Sequence, residues 1–121
     1  MVVTHYKELI VWQKAIELVT ETYQITGTFP EVERFGLVNQ LRRAAVSIPS
    51  NIAEGQGRAS VGEFKQFLGH ARGSLHEVET QLLIACNLGF VAEEGFRRLR
   101  ELVDEVGRLL NGLIRSLSRN R

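Results

Sequence analysis

The 121 residues are 44% hydrophobic with only two prolines, which suits one modest core and excludes a disordered chain. The single cysteine, Cys86, sits in the apolar run Leu82-Leu83-Ile84-Ala85-Cys86. It excludes an intrachain disulfide framework or zinc cluster and reads as a buried thiol in a reducing compartment. The formal net charge of +1 argues against a strongly basic nucleic-acid binder.

The basic side is almost all arginine, and the seven arginines between Arg97 and Arg121 face only three acidic residues, a local +4. No stretch approaches the roughly 20 apolar residues needed to cross a bilayer. The start, Met1-Val2-Val3-Thr4-His5, lacks the basic and apolar regions of a signal peptide. The expected compartment is the cytoplasm, with no membrane partner.

The first predicted helix runs from about Lys7 to Thr26, with Leu9, Trp12, Ile16, Val19 and Tyr23 recurring at helical steps. Trp12 is expected as a core or interface anchor, and Leu18 and Ile25 widen the stripe. Gly27-Thr28-Phe29-Pro30 ends the segment. The second helix is predicted from about Glu33 to Ala53 or Glu54, with Leu37, Leu41, Ala44, Ala45, Ile48 and Ile52 on its apolar face. Pro49 lies inside it, where proline costs about 3 kcal/mol. The apolar period resumes in phase at Ile52, so a kinked but continuous helix is expected.

Gly55-Gln56-Gly57-Arg58-Ala59 reads as a turn, and Ser60-Val61-Gly62-Glu63 as a capping box. The third helix then carries Phe64, Phe67, Leu68, Ala71, Leu75, Val78, Leu82 and Ala85 to about Leu88. Gly69 and Gly73 inside it predict the close passage of another helix. Gly89 reads as a C-cap. The fourth helix, from about Ala92 to Leu117, has Phe96, Leu99, Val103, Val106, Leu110, Leu113 and Leu117 on one stripe.

Short connections between four such segments predict an all-α, antiparallel up-down-up-down four-helix bundle with a proline-kinked second helix, a single domain over residues 1–121. The apolar stripes are wide. Val11, Leu18 and Ile25 flank the line in the first helix, and Leu102, Leu109 and Ile114 flank it in the last. Such flanks fit a fat core or an intersubunit surface.

Catalytic and metal signatures are missing. The residues three before His5, His70 and His76 are Val2, Phe67 and Gly73, so no Glu-x-x-His pair exists for a carboxylate-bridged metal. No His-Glu-x-x-His, phosphate loop or dinucleotide fingerprint occurs. Arg72 and His76 are separated by three residues, too few for the Arg–His spacing of all-helical ribonucleases. No metal, cofactor or catalytic residue is expected, and the chain reads as no enzyme.

The notable polar group is Ser47, Asn51, Glu54 and Arg58, at offsets zero, four, seven and eleven. Ser74 and Glu77 stand one turn apart on the third helix. Two readings remain open. The six residues form a structural polar network that fixes the fold, or the stripe contacts phosphate or a partner helix.

A resemblance to a family rests on long matching stretches. They are Val11-Trp12-Gln13-Lys14-Ala15, Tyr23, Phe29-Pro30, Glu33, Phe35-Gly36-Leu37, the run from Gln40 to Gly55, Arg58, Glu63-Phe64, Phe67-Leu68, Ala71-Arg72-Gly73-Ser74-Leu75 and Glu77. Over about residues 5–117 the chain resembles the four helix bundle protein family, also called the S23 or 23S rRNA intervening-sequence protein family. The resemblance implies a small antiparallel bundle that closes into a homo-oligomeric ring, typically a pentamer. It carries over no catalytic residues. The related accessory proteins of diversity-generating retroelements bind nucleic acid and a reverse transcriptase through a highly basic surface, from which this near-neutral chain departs.

The resulting expectation is a non-enzymatic, self-assembling binding module whose partners are itself and RNA or a nucleic-acid-processing protein. The alternative is an adaptor that binds only protein. Contact candidates are Arg42, Arg43 and Arg58 from the motif, and Arg97, Arg98 and Arg100 from local charge. Nucleic-acid affinity should fall steeply with salt, whereas an apolar protein interface should not.

Overall fold

The computed structural model describes residues 5–119. Four α-helices carry it: α1 (Ile10–Thr26), α2 (Leu37–Gln56), α3 (Val61–Asn87) and α4 (Glu93–Arg119). There is no strand among the described residues. Each helix packs on two neighbours, α1 on α2 and α4, and α3 on α2 and α4. The result is an all-α four-helix bundle.

Helix boundaries follow local chemistry. The chain before α1 makes a 3-10 turn, Tyr6–Glu8, rather than the extra helical turn expected from Lys7, because His5 Nδ1 accepts from the Lys7 N–H. A second 3-10 turn, Glu31–Glu33, precedes α2, and the Glu33 carboxylate accepts from the Leu37 N–H at 3.2 Å. That bond satisfies an amide otherwise orphaned at the helix start. Ser60 caps α3 as predicted, its Oγ accepting from the Glu63 N–H at 3.1 Å. At the other end Phe90 N–H donates to Ala85 O and Gly89 N–H to Cys86 O, with Gly89 at φ 79. Those are the two bonds of a Schellman stop, which needs a residue that tolerates positive φ.

Helix α2 runs unbroken through Pro49, which is buried. Its core face is Val38, Leu41, Ala44, Ala45, Ile48 and Ile52. Opposite it, α3 buries Leu68, Ala71, Leu75, Val78, Leu82 and Ala85, and α4 buries Leu99, Val103, Val106 and Leu110. Each large aliphatic side chain so buried contributes about 1.5–3 kcal/mol of transfer free energy.

Helix α1 departs from expectation. Its buried line is Val11, Ala15, Leu18, Thr22 and Thr26. Of the predicted stripe, Leu9, Trp12 and Val19 are half-buried, while Ile16 and Tyr23 are 38% and 44% exposed. The inward positions can include threonines because these satisfy their own hydroxyls. Thr22 Oγ1 donates to Leu18 O, and Thr26 Oγ1 to Thr22 O, both at 2.7 Å. A hydroxyl bonded back to its own helix can enter an apolar core without an orphaned donor.

Two further expectations are corrected. A Cβ at Gly69 or Gly73 would meet nothing within 4 Å, so no helix of this chain passes close there. The close approach is at Gly55, where a Cβ would lie 2.7 Å from Phe67 Cβ. Cys86 is half-buried rather than sealed in the core.

Candidate interaction surfaces

The outward turn of α1 builds an apolar groove against α2. It has a volume of about 310 Å³ and is lined by Tyr6, Trp12, Ile16, Val19, Val46, Pro49, Ser50 and Ala53. None of these carries a formal charge, although 24% of the chain is charged. Tyr6 meets Trp12 edge-on at 5.3 Å between ring centroids and closes one end. At the other end Tyr23 lies under the Arg42 guanidinium, 4.5 Å from the ring centroid. The sequence marks Ile16 and Val19 as part of the apolar stripe and Trp12 as a core or interface anchor. The α2 half was legible only as non-charged residues at positions 46, 49, 50 and 53, one helical face.

On the α2–α3 side the structure brings part of the predicted polar group together. Asn51 Nδ2 donates to Ser47 O at 2.8 Å and to Ser47 Oγ at 2.9 Å. Ser74 Oγ donates to Ser47 Oγ at 2.8 Å, which ties α3 to α2. The Asn51 amide thus serves the carbonyl of Ser47 rather than that of Ala45, the one left by Pro49. Glu54 and Arg58 form a separate pair at 2.7 Å, with Arg58 also over the Phe67 ring at 4.7 Å. Glu77 does not join them. It lines a hollow of about 410 Å³ with Asn39, Gln40, Arg43, Ala44, Ser47 and Gln81. Gln81 Oε1 is buried there with no partner among the described residues.

Asn51→Ala removes the donor shared by the Ser47 carbonyl and hydroxyl. It is expected to lower the unfolding free energy by about 1 kcal/mol. Urea unfolding at fixed protein concentration measures the loss, and an unchanged midpoint would show that Asn51 adds nothing to the fold.

The six candidate arginines do not form one cluster. Arg42 is spent inside the chain, its Nε donating to Thr26 Oγ1 at 2.8 Å and an Nη to Tyr23 O at 3.3 Å. Arg98 turns toward α1 and pairs with Glu21. Arg100 Nε stands 3.8 Å from Asp104 on its own helix. Arg43 and Arg97 are exposed. Neither has an ion pair among the described residues.

Four helices with an uncharged groove on one side and a hydroxyl–amide tie on another define a class: small all-α four-helix bundles. Within it, this chain belongs to the 23S rRNA-intervening sequence protein family, whose family model matches residues 7–112. Among solved structures it is similar to a protein of unknown function from the S23 ribosomal protein family of Bacteroides thetaiotaomicron VPI-5482. The two align with a TM-score of 0.79 at 23% identity, over 87% of this chain and 98% of the other, a likeness of fold. No curated protein matches the chain. No helix among the described residues is long and apolar enough to cross a membrane.

Proposed function

We propose that this chain is a non-enzymatic bundle that assembles with copies of itself and contacts RNA or a ribonucleoprotein. The observation that carries self-assembly is the uncharged groove between α1 and α2, which exposes Ile16 and Val46 and is lined beside them by the half-buried Trp12, Val19 and Ala53. A neighbouring subunit that covered it would remove apolar surface from water. Five subunits is the number implied by the resemblance. RNA contact is supported by the family's description as a 23S rRNA-intervening sequence protein. Of the six arginines named from the sequence, Arg43 and Arg97 are exposed with no ion pair among the described residues, while Ser47, Asn51, Ser74 and the Glu54–Arg58 pair support the fold.

The chain forms one domain, working in the cytoplasm, with an up-down-up-down course and a bend at Pro49. Contacts support that course. Ser47 meets Ser74 and Gln40 meets Gln81, so pairing retreats along α2 as it advances along α3. Lys14–Glu105 and Glu21–Arg98 do the same for α1 and α4.

The native mass of purified protein at low salt, with and without nuclease, tests this reading. A multimer of the 13.6 kDa chain with ultraviolet-absorbing material that nuclease removes is expected. A clean multimer would leave a protein-only adaptor, and a monomer would end the assembly reading.

A further inference from the structure

The net charge of +1 conceals a segregated molecule. On α3, residues 64–76 hold Lys65 and Arg72 and no acid. On α4, residues 106–119 hold Arg108, Arg115 and Arg119 and no acid. These two stretches therefore carry +5, and the rest of the chain carries −4. They also lie side by side. A Cβ at Gly107 would lie 3.4 Å from Leu75 Cδ2, and Arg72 Nη1 donates to Asn111 Oδ1 at 2.9 Å. Contacts move down α3 as they move up α4, and the same register continued brings Lys65 to the level of Arg119.

The basic residues share outward faces. At about 100° per residue, Arg108, Arg115 and Arg119 fall within an arc of roughly 40° around α4, and Lys65 and Arg72 lie roughly 20° apart on α3. Arg108, Arg115 and Arg119 are exposed, and none of the three has an ion pair among the described residues. An ordinary solvated helix face mixes signs at four-residue spacing. Here Arg115 and Arg119 stand four apart with like charge. The negative end of the helix accounts for a basic residue in the last turn of α4. It does not account for Arg108, about three turns earlier.

The spacing repeats between the two helices. Lys65, Gly69 and Arg72 on α3 match Arg108, Gly112 and Arg115 on α4, each a basic residue, a glycine four on and a basic residue three further on. A Cβ at Gly69 or Gly112 would meet nothing within 4 Å, so neither glycine is required by packing in this chain. Both leave the surface low between flanking cations.

We infer that this α3–α4 face, centred on Arg72, Arg108 and Arg115, is a docking surface for the phosphodiester backbone of a nucleic-acid strand. The inference rests on the RNA reading above and gives it a place. Phosphates would take charge-assisted bonds from the arginine forks, while the bare glycines admit the strand between them. The face lies on the far side of the bundle from the α1–α2 groove, so assembly and strand binding do not compete. Contacts of this kind are independent of base sequence.

Fluorescence anisotropy with a labelled oligouridylate, and with its deoxy counterpart, over a series of salt concentrations tests the surface. Arg108→Gln with Arg115→Gln removes two phosphate contacts without adding charge. It should weaken binding about tenfold and flatten the slope of log affinity against log salt by about 1.4. Lys65→Gln with Arg72→Gln should do likewise, and Arg34→Gln, outside the patch, should leave binding unchanged. Circular dichroism checks that each variant is folded. Wild-type binding with undiminished affinity in both double variants overturns this surface and leaves the RNA reading standing. Failure of the wild type to bind either strand at low salt, including the case where it binds phosphatidylglycerol vesicles instead, overturns both. A preference for the ribose or deoxyribose strand identifies which nucleic acid the surface takes.

Discussion

Gly55→Ala is expected to destabilise the bundle by about 1–3 kcal/mol, the usual cost of overpacking a filled site. The new methyl would stand 2.7 Å from Phe67 Cβ and 3.3 Å from Phe64 O. Neither atom is the free end of a side chain, so α3 as a whole must retreat. Alanine favours a helix over glycine by about 1 kcal/mol, which the collision outweighs. Gly73→Ala provides the opposite sign. Its Cβ meets nothing within 4 Å, so only the helix preference acts, and stability should rise by up to about 1 kcal/mol. Urea midpoints at one protein concentration, so that assembly contributes equally, separate the two. A Gly55→Ala protein as stable as the wild type would mean that α2 and α3 do not approach this closely.

The contrast between those glycines also marks what the sequence could convey. Spacing alone finds glycines within a helical pattern but not which one lies against a neighbour. The Gly55-Gln56-Gly57 pattern reads as a turn, yet Gly55 is buried in the last turns of α2 beneath Phe64 and Phe67. Helix α4 was legible because Leu99, Val103, Val106 and Leu110 alternate with arginines and acids, so only one face can turn inward. Helix α1 was not, because it has two usable faces. Trp12, Ile16, Val19 and Tyr23 outrank Ala15, Thr22 and Thr26 in hydrophobicity, and the inward face is open to those threonines only because their hydroxyls bond to their own helix.

The site was legible to a similar degree. Asn51 and Ser47 stand four apart on one helix, so their hydrogen bond follows from spacing. Whether Glu77 would join Ser74 depended on the facing of α2 and α3, which spacing does not set. The local +4 between Arg97 and Arg121 is legible in the sequence, but its side-by-side placement with Lys65 and Arg72 depends on the packing of α3 against α4.

The second large effect concerns the groove that the rotation of α1 leaves open. Ile16→Glu together with Val46→Glu is expected to dissociate the assembly while leaving each subunit folded. Both side chains are more than a third exposed in the single chain, at 38% and 39%. In a free subunit the new carboxylates therefore remain hydrated, and the buried line of Val11, Ala15 and Leu18 is untouched. Beneath a neighbouring subunit the same carboxylates would be stripped of water, and the cation at the end of the groove, Arg42, is already held by Thr26 Oγ1 and the Tyr23 carbonyl. Several kcal/mol per buried charge is the usual scale of that penalty, enough to shift a subunit equilibrium by orders of magnitude. Light scattering coupled to size exclusion should report the mass of one chain for the double variant, with an unchanged helical circular dichroism spectrum. If the variant keeps the wild-type mass, the groove is not the surface that copies share, and the subunit contact must be sought elsewhere on the bundle.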